Sequence, residues 1–204
     1  MRDLDKALAD ITAIRAQMAR GTEFQGYGPI TVAATGVLAF IAAGAQAILI
    51  PDPAAAVPGY LTLWVATAAA SVILIATEMV ARSQRLHTGL ADEMIHTATE
   101  QFIPAGVAGT LLTVVLYRVG SDVLWMLPGL WQIIFSLGFL ASCRVLPRAM
   151  FAVGAWYLAA GLASLAFANA EHAFSPWAMA LPFGLGQLMM AGILYRSGTR
   201  HAED

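Results

Sequence analysis

The chain has 204 residues, of which 59% are hydrophobic and only 12% are charged, and its mean hydropathy is +0.69. A soluble domain carries roughly 25% charged residues, so this composition argues against a soluble globular protein. The formal net charge of −2 and the lack of a basic stripe give no support for nucleic acid as a partner. The single cysteine, Cys143, cannot form an internal disulfide, so it leaves the redox compartment undecided.

The first 27 residues are predicted to form a cytoplasmic domain, consisting of an amphipathic helix and a turn. Between residues 3 and 20, apolar side chains recur every three or four positions, and charged side chains occupy the other side. With eight charges, residues 1–27 also lack the apolar stretch of a cleaved signal peptide. Such a helix either lies on the membrane surface or docks on a partner.

Six apolar segments follow, and each is close to the ~20 residues that cross a ~30 Å hydrocarbon core. They lie at about 29–50, 59–81, 102–119, 123–142, 148–168 and 175–196. The sequence therefore predicts an all-α polytopic membrane protein. Residues 28–204 would form one domain of six transmembrane helices, arranged as three helical hairpins side by side. Only one connection, the predicted cytoplasmic segment 82–101, is long enough to hold its own structure.

The basic residues predict the orientation of these spans. If six spans alternate, ten of the eleven lysines and arginines lie on one side, and only Arg118 lies opposite. By the positive-inside rule, both termini are then cytoplasmic. An aromatic belt at the outer boundary agrees with this orientation. Its predicted members are Tyr60, Trp64, Tyr117, Trp125 and Trp177.

Small residues spaced by four predict where helices approach one another in lipid. The pairs are Ala39 with Ala43, Ala66 with Ala70, Ala105 with Gly109, Ala155 with Ala159, and Ala159 with Ala163.

Two stretches echo each other 55 residues apart: Gly-Leu-Trp-Gln at 129–132 and Gly-Leu-Gly-Gln at 184–187. Each lies on the second helix of its predicted hairpin, which favours a parallel repeat. Counting from the outer helix ends places Gln132 and Gln187 near the middle of the membrane. An amide there needs a hydrogen-bond partner.

Trp131, Trp156 and Tyr157 are expected at about the same depth as the two glutamines. Two interpretations of these five residues remain. They line a ligand-binding site, or they join helices through hydrogen bonds.

Glu78 is the ionisable residue placed most clearly inside a predicted span, which makes it a candidate proton site. Arg82 follows one helical turn later, so an ion pair at the membrane boundary is the alternative. Glu93, His96 and Glu100 would share one face of a helix, a spacing that carboxylate-bridged metal sites use, but such sites need a second helix of this kind, so a solvated face is the preferred interpretation. No set of residues suggests a catalytic nucleophile or a cofactor loop, so we expect no catalytic residues, no metal and no cofactor.

The segment Phe24–Pro29 with Thr35–Gly36, and the run Leu127–Trp131, resemble a group of uncharacterised bacterial six-span membrane proteins. The hairpin repetition is also similar, more distantly, to small stress membrane proteins of the HdeD type. The resemblance implies a bacterial inner membrane and a link to regulation or stress. It supplies no catalytic motif.

Together these observations predict a regulatory, stress-response or accessory-subunit protein of the inner membrane that is not an enzyme. The alternative is a small transporter or ligand-binding bundle with a polar site at mid-membrane. The expected partners are the lipid bilayer and a protein bound through residues 3–20 and 82–101. A homo-oligomer remains open.

Overall fold

The computed structural model describes residues 28–86, 89–142, 149–167 and 172–203, and these residues form seven α-helices. In chain order the helices are α1 (Pro29–Leu49), α2 (Val57–Leu86), α3 (Gly89–Val119), α4 (Ser121–Leu124), α5 (Leu127–Ser142), α6 (Met150–Phe167) and α7 (Pro176–Glu203). The all-α class is confirmed. The predicted amphipathic helix at 3–20 lies outside the described residues.

Four helices are long and apolar enough to cross a membrane: α1, the part Val57–Ala81 of α2, α6, and the part Pro176–Ser197 of α7. Two shorter apolar stretches, Ile103–Val119 of α3 and Leu127–Ala141 of α5, accompany them. By helix length and hydropathy the chain is a multi-pass membrane protein. The count of six spans depends on the two shorter stretches and stays a prediction.

The segment 82–101 has no separate fold where the structure describes it. Helix α2 continues to Leu86, and α3 begins at Gly89 and runs without interruption to Val119. The predicted cytoplasmic segment therefore consists mainly of the ends of two long helices, with residues 87–88 outside the described part.

The long helices are neighbours in the order α2, α1, α7, α6, α5, α3. The predicted hairpins α1/α2, α3/α5 and α6/α7 all pack together, but the two most extensive contacts join different hairpins. These are α1 with α7 and α5 with α6. We call α1, α5, α6 and α7 the central helices, and α2 and α3 the flanking helices.

Glycines produce both extensive contacts. A Cβ built at Gly36 would lie 3.0 Å from the Gly184 carbonyl oxygen, so α1 and α7 touch through their backbones. A Cβ built at Gly161 would lie 2.7 Å from the Gly129 carbonyl oxygen, so α5 and α6 do the same. Small residues bring helices close in lipid because backbone atoms gain van der Waals contact there.

The predicted contacts of small residues are correct for one of the five pairs and wrong for the other four. On α3, a Cβ built at Gly109 would meet nothing within 4 Å. Ala39 and Ala43 are buried on α1. The pair on α2 and the three alanines on α6 are exposed: Ala66, Ala70, Ala155, Ala159 and Ala163. Spacing by four occurs on every face of an alanine-rich helix, so it does not indicate which face meets a neighbour.

The core has two layers. The Tyr60 layer lies where α1 ends and α2, α5 and α7 begin, and its members include Tyr60, Trp64, Leu127, Phe174 and Met179. The Tyr157 layer lies toward the opposite end, and its members include Met79, Phe139, Met150, Tyr157 and Met190.

The aromatic-belt prediction is wrong for two of its members. Tyr60 and Trp64 are buried in the first layer, and the Tyr60 ring meets the Phe174 ring edge-on at 4.9 Å between centroids. Tyr117 and Trp177 are exposed, as a belt requires.

Proline and glycine set several helix ends. Pro29 and Pro176 are the first residues of α1 and α7, where the missing N–H costs no helical hydrogen bond. Gly120 has φ 141°, which L side chains rarely adopt, and it separates α3 from the short helix α4. The fourth apolar segment is therefore divided: its first residues belong to the short helix α4, and the long helix α5 begins at Leu127.

Candidate functional site

Polar side chains from two helices converge on the first half of α7, which contains Pro182. Proline has no backbone N–H, so the carbonyl of Ala178, four residues earlier, loses its helical donor. The side chain of Gln132 supplies one, since Nε2 donates to the Ala178 oxygen at 2.8 Å. The amide of α5 thus completes the hydrogen bonding of α7 where proline interrupts it, which matters most in lipid.

Helix α6 contributes two more donors to α7. Trp156 Nε1 donates to the Pro182 carbonyl oxygen at 3.0 Å. The Tyr157 hydroxyl makes a longer contact of 3.5 Å with the Phe183 carbonyl oxygen. Two adjacent residues of α6 therefore bind two adjacent backbone carbonyls of α7, which fixes the axial register of this helix pair.

Gln187 is buried on α7, and its side chain lies beside the Tyr157 side chain. The Tyr157 ring occupies the space that a side chain at residue 186 would need, so Gly186 admits the ring against the backbone. Phe135 and Phe183 surround the same ring, at 4.9 and 5.3 Å between centroids.

Trp131 points elsewhere. Its Nε1 donates to Thr113 Oγ1 on α3 at 2.9 Å. Four of the five predicted site residues therefore meet at the contact of α5, α6 and α7, and the fifth joins a flanking helix to the central ones.

The similar stretches 129–132 and 184–187 have the same kind of contact at their first glycine and different contacts at their glutamine. Gly129 and Gly184 each lie at a close backbone contact with another helix. The two glutamines differ in their contacts, because Gln132 donates to a backbone carbonyl, whereas Gln187 lies beside a tyrosine side chain.

Glu78 is a residue of α2, and its side chain packs beside the start of α1. Its carboxylate occupies the space that a side chain at Gly28 would take, beside the first turn of α1. A negative charge is favourable there because the first N–H groups of a helix carry partial positive charge. The predicted ion pair with Arg82 falls on a side chain outside the described part.

Sequence reasoning missed Gln46, which is fully buried near the end of α1. Its Nε2 donates to the Phe174 carbonyl oxygen at 2.7 Å, and its Oε1 accepts the Trp64 Nε1 hydrogen at 2.7 Å. One amide thus joins α1, α2 and the turn before α7. The signal was available, since Gln46 is also a glutamine inside a predicted span.

Gln132 Oε1 and the Tyr60 hydroxyl are buried and have no hydrogen-bond partner among the described residues, although both can form a hydrogen bond. Both side chains are 0% exposed.

The chemistry available at the contact of α5, α6 and α7 is neutral hydrogen bonding by amide, indole and phenol groups. Within the described ranges, no group of three or more His, Cys, Asp or Glu side chains is placed to hold a metal ion. Comparison with protein-family models, curated proteins and solved structures gives no match.

Proposed function

We propose that the chain is a non-catalytic protein of the bacterial inner membrane with a regulatory, stress-response or accessory-subunit role. The observation that supports this most directly is the use of the mid-membrane polar groups. Gln132, Trp156 and Tyr157 all direct hydrogen-bonding groups at the backbone of α7. A binding site directs such groups toward a ligand instead.

The close glycine contacts give the same support. Backbones touch at Gly36 with Gly184 and at Gly129 with Gly161, so both extensive helix contacts are already filled. A bundle held in this way suits a protein that presents surfaces to partners. We assign those surfaces to residues 3–20 and 82–101, with both termini in the cytoplasm, and we include a second copy of the chain among the candidate partners.

The orientation is tested by reporter fusions to the full-length chain. Fusions after Ala55, Gly120 and His172 are expected to report the periplasm, and fusions after Leu90, Val145 and Asp204 the cytoplasm. One reversed pair contradicts the six-span arrangement.

The role is tested by two variants of the tagged chain expressed at native level. Removing residues 2–20 is expected to leave the melting temperature unchanged and to remove specific partners that co-purify from native membranes. Gln132→Leu is expected to lower the melting temperature and to keep those partners. If the deletion leaves the co-purifying set unchanged, the proposed contact surface is wrong.

One observation favours the alternative, a small transporter or ligand-binding bundle. Gln132 Oε1 is a buried acceptor that no described residue uses. In a transporter, Gln132→Leu would abolish uptake of the substrate at temperatures where the variant remains folded. Uptake retained by the folded variant would exclude this alternative.

A further inference from the structure

Gln132 Oε1 needs a donor because the amide cannot be turned to avoid the problem. The Ala178 carbonyl accepts only, so the amide must present Nε2 to it, and Oε1 then points away. A buried acceptor without a donor in apolar surroundings is costly, and such atoms in folded proteins are usually satisfied by protein or by ordered water.

The Tyr60 hydroxyl is a complementary group, since it offers one hydrogen and accepts others. Its ring is fixed by the edge-on contact with Phe174 at 4.9 Å. Because the ring belongs to the buried Tyr60 layer and is 0% exposed, the hydroxyl cannot reach bulk water.

The two groups lie at a similar depth in the bundle. Tyr60 is the fourth residue of α2 and Gln132 is the sixth residue of α5, and the first residues of both helices belong to the Tyr60 layer. At ~1.5 Å per residue, Tyr60 lies about 5 Å and Gln132 about 8 Å from the start of its helix. Both side chains also reach the same stretch of chain, Tyr60 at Phe174 and Gln132 at Ala178, four residues further along.

We propose that one internal water molecule bridges Tyr60 and Gln132. The water accepts the Tyr60 hydroxyl hydrogen and donates one of its own hydrogens to Gln132 Oε1, so each buried group gains the partner that it lacks. Buried waters of this kind typically make about three hydrogen bonds and belong to the folded structure. The site is distinct from the proposed partner surfaces and does not depend on the proposed function.

A double-mutant cycle tests the bridge, with melting temperatures of the full-length chain measured in detergent micelles. Tyr60→Phe removes only the hydroxyl and is expected to lower the melting temperature by about 2–4 °C, the shift for a net hydrogen bond in a chain of this size. In a Gln132→Met background the same change is expected to lower it by less than about 1 °C, because the water has already lost its second anchor. Tyr195→Phe, at an exposed tyrosine near the far end of α7, serves as the matched control and is expected to leave the melting temperature unchanged in both backgrounds.

Either of two results overturns the proposal. In the first, Tyr60→Phe does not lower the melting temperature of the otherwise unmodified chain. In the second, Tyr60→Phe lowers the melting temperature by the same amount in both backgrounds. A structure of the unmodified chain at about 2 Å resolution keeps the test decisive if Gln132→Met does not fold. Density for one water within about 3.2 Å of both atoms supports the bridge, and its absence or a direct bond between the side chains contradicts it.

Discussion

Helices α7 and α2 differ in how much of each helix is buried, and hydropathy does not explain the difference. The span of α2 has the higher mean hydropathy, yet only 11% of its most apolar 18 residues are buried, whereas 44% of the corresponding residues of α7 are buried. In water the more apolar helix would be expected inside. In a bilayer, lipid solvates apolar side chains as well as a neighbouring helix does, so apolarity does not select the buried helix.

What distinguishes α7 is small residues and polar contacts. Gly184 and Gly186 let Phe40 and Tyr157 approach its backbone, and side chains of α5 and α6 bind its carbonyl groups. On α2, the bond from Trp64 to Gln46 is a contact of this kind. Backbone contact and hydrogen bonding therefore decide which helices are central.

The largest expected effect comes from filling a close contact between central helices. A Cβ at Gly161 would meet backbone atoms of Gly129 and Ile133 at 2.7 and 3.1 Å, so the helices must separate. We expect Gly161→Val to lower the free energy of unfolding by about 3 kcal/mol or more, as overpacking does. Gly106→Val on α3 is the matched control, because a Cβ at Gly106 meets nothing within 4 Å.

The measurement is reversible unfolding of both variants in mixed micelles. The control is expected to change stability by no more than about 0.5 kcal/mol, as surface substitutions usually do. Equal losses at the two sites would mean that the division into central and flanking helices has no energetic basis.

A smaller effect is expected at the amide that connects a central helix to a flanking one. Gln46→Leu leaves Trp64 Nε1 and the Phe174 carbonyl without partners, and we expect a loss of about 2 kcal/mol. Trp64→Phe removes only one of the two hydrogen bonds and is expected to cost about half as much in hydrogen bonding. If Gln46→Leu proves neutral by thermal unfolding, the amide does not hold these three elements together.

The smallest effect is expected where α3 meets α5. Thr113→Val removes the acceptor of Trp131 Nε1 and is expected to cost about 0.6 kcal/mol, the average for interhelical hydrogen bonds in membranes. Thr110→Val is the matched control, because the Thr110 hydroxyl donates within its own helix to Gly106. Chemical denaturation should separate the two variants, and a loss as large for Thr110→Val would contradict the assignment.

The helix positions could be predicted because apolar runs of membrane length are visible in any sequence. The predicted span 148–168 became Met150–Phe167, and 29–50 became Pro29–Leu49. The order of neighbours could not be predicted, because a helix that is apolar all round carries no pattern that distinguishes a lipid-facing side from a protein-facing one. The strongest contacts therefore join different hairpins, where chain proximity gives no guide.

Sequence reasoning identified four residues that meet where α5, α6 and α7 pack, but not how they are arranged. A glutamine inside a span requires a partner, and this reasoning identified Gln132 and Gln187. It applied equally to Gln46, which lies inside the first predicted span and was not identified. Pro182 indicates from sequence that the Ala178 carbonyl needs an outside donor, but only the packing of α5 against α7 identifies that donor as Gln132.

The measurement that tests this account most directly is a double-mutant cycle between Gln132 and Pro182. Gln132→Leu alone is expected to cost about 1–2 kcal/mol, because the Ala178 carbonyl is left unsatisfied. In a Pro182→Ala background, residue 182 regains an N–H that can donate to that carbonyl, so the same substitution is expected to cost less than half as much. Trp156→Phe should cost the same in both backgrounds, since the Pro182 carbonyl that it binds is unchanged. An equal cost of Gln132→Leu with and without the proline would contradict the claim that this amide serves to complete α7.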